Sequence, residues 1–216
     1  ISSTFLRKKQ FKIVRIGIVG TGRIAPRFIS ESKYVSGLTI ECAYNPVEES
    51  AKRFEKREKI KCYTGDYEEF LENVDAVYIA SPNETHFEYA KKAIEAGKHV
   101  LSEKPLSFTK KESEVLYTSA KEKGVVLMEA VKAAYCPGFQ QLINVAKSGK
   151  IGDIVDVEAS FTRLADPLSR ERTDAEYGGA FLEFGPSVLV PVIKLMGKDY
   201  TSATFDSIYD LSLIHI

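Results

Sequence analysis

The sequence predicts an α/β protein: a doubly wound parallel sheet of the dinucleotide-binding type, followed by an incomplete α+β domain. Three observations predict it. Apolar runs of strand length alternate with amphipathic stretches of helix length as far as Glu129, the rhythm of a parallel sheet covered on both faces. The first run ends in Gly20-Thr21-Gly22-Arg23-Ile24-Ala25 and passes directly into a helical pattern. After Glu129 the register changes, and Ile154–Phe161 alternates apolar with polar residues, as a sheet with one solvated face does.

Taken in order, the first strand covers 13–20 and a helix covers 24–34. Gly20 suits the tight turn off the strand, Gly22 lets backbone approach a phosphate, and Ala25 keeps the helix close to the sheet. The unsatisfied N–H groups of that helix and its positive dipole end suit an anion. Strand two is 38–44. Asn45-Pro46 stops it and opens a helix over 47–59, with Pro46 in a tolerated first-turn position. Cys62-Tyr63 is a short strand, and Asp66 can cap a helix over 67–71. Strand four, 75–80, is broken by Ser81-Pro82-Asn83. A helix over 85–96 ends at Gly97, strand five is 99–102, a helix over 109–123 stops at Gly124, and strand six is 125–128. Helices are expected over 137–148 and 178–197, and a strand over 154–161. The domains are therefore placed at 1–131 and 132–216, the second cut short because one strand and one helix cannot bury a sheet face alone.

Thirty basic and thirty acidic residues balance, so no overall field favours nucleic acid or an anionic membrane. The N-terminus lacks the apolar core of a signal peptide and no apolar run is long enough to span a bilayer, which reads as a cytoplasmic protein. Cys42, Cys62 and Cys136 show no C-x-x-C spacing and read as buried thiols of a reducing compartment, with metal ligation as the alternative. No metal site is expected.

Four segments in order resemble the Gfo/Idh/MocA oxidoreductases, the family of glucose-fructose oxidoreductase and inositol dehydrogenase. They are Gly17-Ile-Val-Gly-Thr-Gly-Arg-Ile-Ala25, Tyr78-Ile-Ala-Ser-Pro-Asn-Glu-Thr-His86, Gly97-Lys-His-Val-Leu-Ser-Glu-Lys-Pro105 and Gly178-Gly-Ala-Phe-Leu-Glu-Phe-Gly185. The Glu-Lys-Pro tripeptide and Ser-Pro-Asn-x-x-His are the more specific of these. The resemblance implies an NAD(P)-dependent enzyme acting on an alcohol carbon of a sugar, cyclitol or related polyol. It implies that Lys104 lies beside the nicotinamide and the reacting hydroxyl as proton donor and acceptor. Pro105 bars Lys104 from helical dihedrals and so fixes the turn that aims it. Glu103 reads as orienting that turn, with a solvated carboxylate as the alternative. Cofactor contacts are expected from Gly20, Thr21, Gly22, Arg23, Ile24, Asn45, Ser81, Pro82, Asn83, Glu103, Lys104 and Glu129. His86 is included among them, although a structural helix-start role is its commoner use; for Glu129 a domain-junction salt bridge is the alternative.

Two places depart from the family pattern. The acidic residue that commonly ends strand two and binds the ribose hydroxyls is replaced by Asn45, which leaves NAD and NADP both open, with NAD slightly ahead. On the helix facing the nicotinamide, Asp-x-Gly-x-His (or Tyr) reads Glu183-Phe-Gly185-Pro-Ser187, and serine does not titrate near neutral pH. Either Lys104 works alone, or Tyr135 or Lys132 supplies the second group, or catalysis is lost. Glu183 keeps a carboxylate. The competing class is thus a catalytically silent nucleotide-binding or regulatory homologue; a methyltransferase reading leaves Glu-Lys-Pro without purpose. The resemblance further implies a homo-oligomer through a C-terminal sheet, most of it past residue 216. The chain as given is accordingly expected to bind cofactor, catalyse poorly and dissolve poorly, and its apolar end, Leu211–Ile216, reads as non-native.

Overall fold

The structure, a computed structural model, describes residues 13–164, 166, 173–174, 176–206, 208–210 and 213–215. The N-terminal segment and, from the apolar end, Leu211, Ser212 and Ile216 lie outside the described residues. The chain divides into two units, one comprising 13–102 with 109–128 and the other 103–108 with the described residues from 129 onward. This differs from a single boundary at 131/132: the hexapeptide carrying Glu-Lys-Pro groups with the second unit.

Six strands form one sheet in the order β3-β2-β1-β4-β5-β6: β1 (Val14–Val19), β2 (Leu38–Tyr44), β3 (Cys62–Thr64), β4 (Ala76–Ile79), β5 (His99–Ser102) and β6 (Leu127–Glu129). β1 runs parallel to β2 and β4, β2 to β3, and β4 to β5. The order reverses between β1 and β4, and in doubly wound sheets ligands bind outside the strand ends at that place. The helices of this unit are α1 (Ala25–Ser32), α2 (Glu48–Glu58), α3 (Tyr67–Glu72), α4 (His86–Glu95) and α5 (Lys110–Lys123).

The apolar runs become buried strands as their composition requires. Ile18, Val19 and Ile79 are fully buried, and the Tyr78 ring stacks on Phe28 of α1 at 3.8 Å between centroids. A Cβ at Gly17 would run into the Phe70 ring, so this glycine is what lets α3 close on the sheet. At the other end of the strands, Arg15 holds Asp75 in a two-pronged ion pair, both contacts at 3.1 Å. Asp66 caps α3 by accepting from Glu69 N–H, and Thr109 with Glu112 forms a reciprocal capping box on α5. Gly97 and Gly124 end their helices at positive φ, where a Cβ is strained.

Several elements differ from expectation. Pro46 precedes the helix, because Val47 is the cap of α2 and remains extended. The helix after strand four opens with a 3₁₀ turn, Asn83–Thr85, before α4 begins at His86. The cysteines are corrected outright. Cys42 and Cys62 face each other in the register of β2 and β3, with Cα atoms 4.6 Å apart, and are joined as a disulfide, while Cys136 is exposed. Sequence spacing could not reveal this, since the two meet only through strand pairing, and with no buried thiols the argument for a reducing compartment falls away.

The second unit contains α6 (Lys132–Tyr135), α7 (Pro137–Lys147), α8 (Ala180–Met196) and an antiparallel hairpin of β7 (Ile208–Asp210) and β8 (Leu213–His215). Neither α6 nor the hairpin was expected. Residues 154–161, expected as a strand, form none: a strand exists through its ladder, and no described residue pairs with this segment. Instead Phe161 stacks on Phe184 of α8 at 4.8 Å, beside a cavity of about 270 Å³ lined also by Phe181 and Val188. α8 tolerates Pro186 and Pro191, which remove the N–H groups that would bond the Leu182 and Ser187 carbonyls. Among the described residues no helix is long and apolar enough to cross a membrane.

Candidate functional site

Within the first unit, the glycine loop lies at the carboxyl end of β1. Gly20 sits at φ +91°, and a Cβ there would come within 2.7 Å of the Ala80 carbonyl oxygen and 2.8 Å of Ser81 Cα. Glycine is therefore required on two independent grounds: backbone conformation and the close passage of the loop over the end of β4. Gly22 is different, because a Cβ there would meet nothing within 4 Å. The loop leaves open space on its outer side, where an added side chain would project. Ala25 is fully buried at the start of α1. No side chain caps α1, and its first turn holds no acidic residue, so an anion there meets no competing carboxylate from the helix itself. These features fit a pyrophosphate.

The loop is clipped to the tip of β2. Gly20 N–H donates to the Tyr44 carbonyl and Asn45 Nδ2 donates to Thr21 Oγ1, each at 2.9 Å. The Asn45 side-chain oxygen in turn accepts from Val47 N–H at 2.9 Å, closing the turn into α2. Arg23 and Ile24 are exposed on the loop.

Ser81, Pro82 and Asn83 turn away at the end of β4. Ser81 Oγ lies 2.7 Å from Thr85 Oγ1, whose hydroxyl also reaches the Pro82 carbonyl at 2.7 Å. His86 is 1% exposed, and its Nε2 lies 2.9 Å from the Ser81 carbonyl oxygen. A buried imidazole against that carbonyl fits the structural helix-start role that is the commoner use of such a histidine.

Within the second unit, Lys104 and Glu183 come together from 79 positions apart. Lys104 Nζ donates to the Glu183 main-chain carbonyl at 2.6 Å and lies 3.5 Å from its carboxylate, both side chains being about four-fifths buried. The Lys104–Pro105 peptide bond is cis. Glu129 accepts from Leu106 N–H at 2.9 Å and so braces the turn just after Glu-Lys-Pro; Glu103 stands in that turn, half-buried. Ser187 falls one turn after Glu183 on the same face of α8. Tyr135 lies on α6, which packs beside α8, and is 55% exposed; Lys132, at the other end of α6, is also exposed. An ammonium held against a carbonyl and a carboxylate is fixed in place and can give a proton to an adjoining oxygen, and its amine form can take one back. Among the described residues no group of three or more His, Cys, Asp or Glu side chains could hold a metal ion.

Comparison with known proteins agrees with this geometry. Residues 14–131 match the family model described as "Oxidoreductase family, NAD-binding Rossmann fold" (GFO_IDH_MocA). The chain is 31% identical over 195 residues to scyllo-inositol 2-dehydrogenase (NADP(+)) IolU of Bacillus subtilis, covering 86% of this chain and 59% of that protein. It is 34% identical over 191 residues to dTDP-3,4-didehydro-2,6-dideoxy-alpha-D-glucose 3-reductase of Actinomadura kijaniata, covering 86% of this chain and 57% of that one. The crystal structure of KijD10, a 3-ketoreductase from Actinomadura kijaniata in complex with NADP and TDP-benzene, superposes with a TM-score of 0.72 at 34% identity, over 80% of this chain and 54% of that chain. The chain thus spans little more than half the length of these relatives. With the glycine loop, the reversed strand order and more than half of its residues matched, it belongs to the Gfo/Idh/MocA family of oxidoreductases.

Proposed function

We propose that the protein is an NAD(P)-dependent oxidoreductase that transfers hydride between the nicotinamide and an alcohol carbon of a sugar, cyclitol or related polyol. The observation that carries this reading is Lys104, held by Glu183 in the Glu-Lys-Pro turn. When bound, the nicotinamide supplies the hydride acceptor or donor. The chain's own residues then have distinct tasks. The glycine loop and the N-terminus of α1 hold the pyrophosphate. As a neutral amine Lys104 takes the proton from the alcohol oxygen in oxidation, becoming the ammonium, and as the ammonium it returns the proton to the carbonyl oxygen in reduction. Glu183 keeps the ammonium aimed, and Glu129 and Glu103 fix the turn that carries it. Both named relatives act on ring-carbon oxygens of cyclitol or sugar substrates by their names, which supports the polyol class.

Replacing Lys104 with Met keeps most of the side-chain volume and removes the proton. Turnover is expected to fall by about 10²–10⁴ in an assay against a panel of polyols with both nucleotides. Nucleotide affinity, measured by calorimetry, stays within a few-fold. Unchanged turnover would sink the assignment.

A second reading has one observation behind it. Ser187 occupies the place on α8 where the family pattern puts a histidine or tyrosine, so the protein could have kept the nucleotide site and shed the chemistry. Nucleotide binding without turnover of any polyol by the wild-type protein would favour that homologue.

A further inference from the structure

Resting on the reading of the glycine loop as a dinucleotide site, we propose that the tip of β2 selects NADP(H) over NAD(H) and that Asn45 sets the choice. Selection of NAD at this point of the fold uses a carboxylate that accepts from the ribose hydroxyls and repels a 2′-phosphate. Asn45 carries no charge that would repel a phosphate. It is neutral, and its oxygen is turned to Val47 N–H at 2.9 Å. The main-chain N–H of Val47 can only donate, which fixes the amide with its oxygen toward the turn and its nitrogen toward the glycine loop. One N–H of that nitrogen goes to Thr21 Oγ1 at 2.9 Å. The other is the group the side chain offers a ligand, and it is a donor. A phosphate presents acceptors alone, whereas ribose hydroxyls held by a carboxylate must donate.

The charges around the tip are of both signs. Glu48 and Glu49 at the start of α2 are balanced by Lys52 and Arg53 on its next turn, with Glu49 3.9 Å from Lys52 Nζ. Arg23, exposed two residues after Thr21 in the clipped loop, adds a positive charge. An incoming 2′-phosphate therefore meets an amide donor at position 45, where a carboxylate would repel it, among charges of both signs that include Asp66 near Tyr44. On this reading NADP moves ahead of NAD, because position 45 has no charge to repel a 2′-phosphate and its amide nitrogen keeps an N–H to donate to one.

The test is a calorimetric titration of the full chain with NADPH and with NADH, for wild type and for Asn45→Asp. Aspartate can accept from both Val47 N–H and the Thr21 hydroxyl, so the clip survives while a charge is added; a thermal melt checks the fold. Should that variant melt early, Asn45→Glu adds the same charge without depending on the turn. Wild type is expected to bind NADPH about tenfold or more tighter than NADH, and the acidic variant to lower that ratio about tenfold, mainly by weakening NADPH. Equal or NADH-favouring affinities in wild type, or a ratio unmoved in a folded variant, would overturn the selection by Asn45 while leaving the dinucleotide site standing. Binding of neither nucleotide would remove the site itself and this inference with it.

Discussion

In the first unit Ile18, Val19, Phe70, Val74, Ile79, Ile94 and Leu116 are fully buried, whereas in the second Val155, Leu164, Tyr200 and Phe205 are each at least 75% exposed. Only Leu106, Val131 and Ile143 are buried apolar side chains of the second unit among the described residues. Both units nevertheless hold candidate site residues firmly. In the first, position follows from packing: the glycine loop is pressed between the ends of β1, β2 and β4. In the second it follows from a few polar ties, Lys104 to Glu183 and Glu129 to Leu106 N–H. The lesson is that a polar clamp can define local geometry where apolar packing is sparse, but it does not confer the cooperative stability that burial brings.

Three measurements would sharpen or break this comparison. Hydrogen exchange gives the largest contrast: amides of β1 and β4 are expected to exchange at least about a thousandfold more slowly than those of residues 154–164, which have no ladder. Comparable protection would mean that the second unit is as cooperatively packed as the first. Next in size is a pair of truncations read by denaturant midpoint. Phe70→Ala leaves a void against Gly17 and Val74 and should cost about 3–5 kcal/mol, whereas Leu164→Ala, at a fully exposed residue, should stay within about 0.5 kcal/mol. Equal losses would erase the distinction. The smallest effect separates fold from site inside the first unit. Gly20→Ala should cost about 1–3 kcal/mol through positive φ and the clash with Ala80. Gly22→Ala should leave the melting temperature nearly unchanged yet weaken NADPH binding, because its methyl group projects into open space on the outer side of the loop. If Gly22→Ala binds as wild type does, that space is not where the phosphates lie.

How much was legible beforehand follows the range of the interactions. The strand and helix sequence of the first unit was readable because its signals are local: apolar runs, Asp66 before α3, the Thr109–Glu112 box, glycines at helix ends. β2 and β5 fall on the expected residues. The glycine loop was readable for the same reason. The failures lie where a residue's state depends on a distant partner. Cys42 and Cys62 looked like separate thiols until β3 was paired with β2. The 154–161 alternation looked like a strand, but alternation describes only a face, and a strand also needs neighbours for its N–H and C=O groups. In the candidate site, residue types were readable and contacts were not. Nothing near Asn45 in sequence shows that Thr21 takes its amide, nor does anything near Lys104 show that Glu183 receives its amine.

Sequence alone determined the family, the order of elements in the first unit and the residues of the phosphate loop, since each is written in short windows with few alternatives. The tertiary structure decided which side chains are spent. It placed the Asn45 oxygen inside a turn, the His86 ring beneath Ser81 and the Lys104 ammonium against Glu183. The physical reason is that a hydrogen-bonding group has a fixed number of donors and acceptors, and only the folded chain shows how many remain for a ligand.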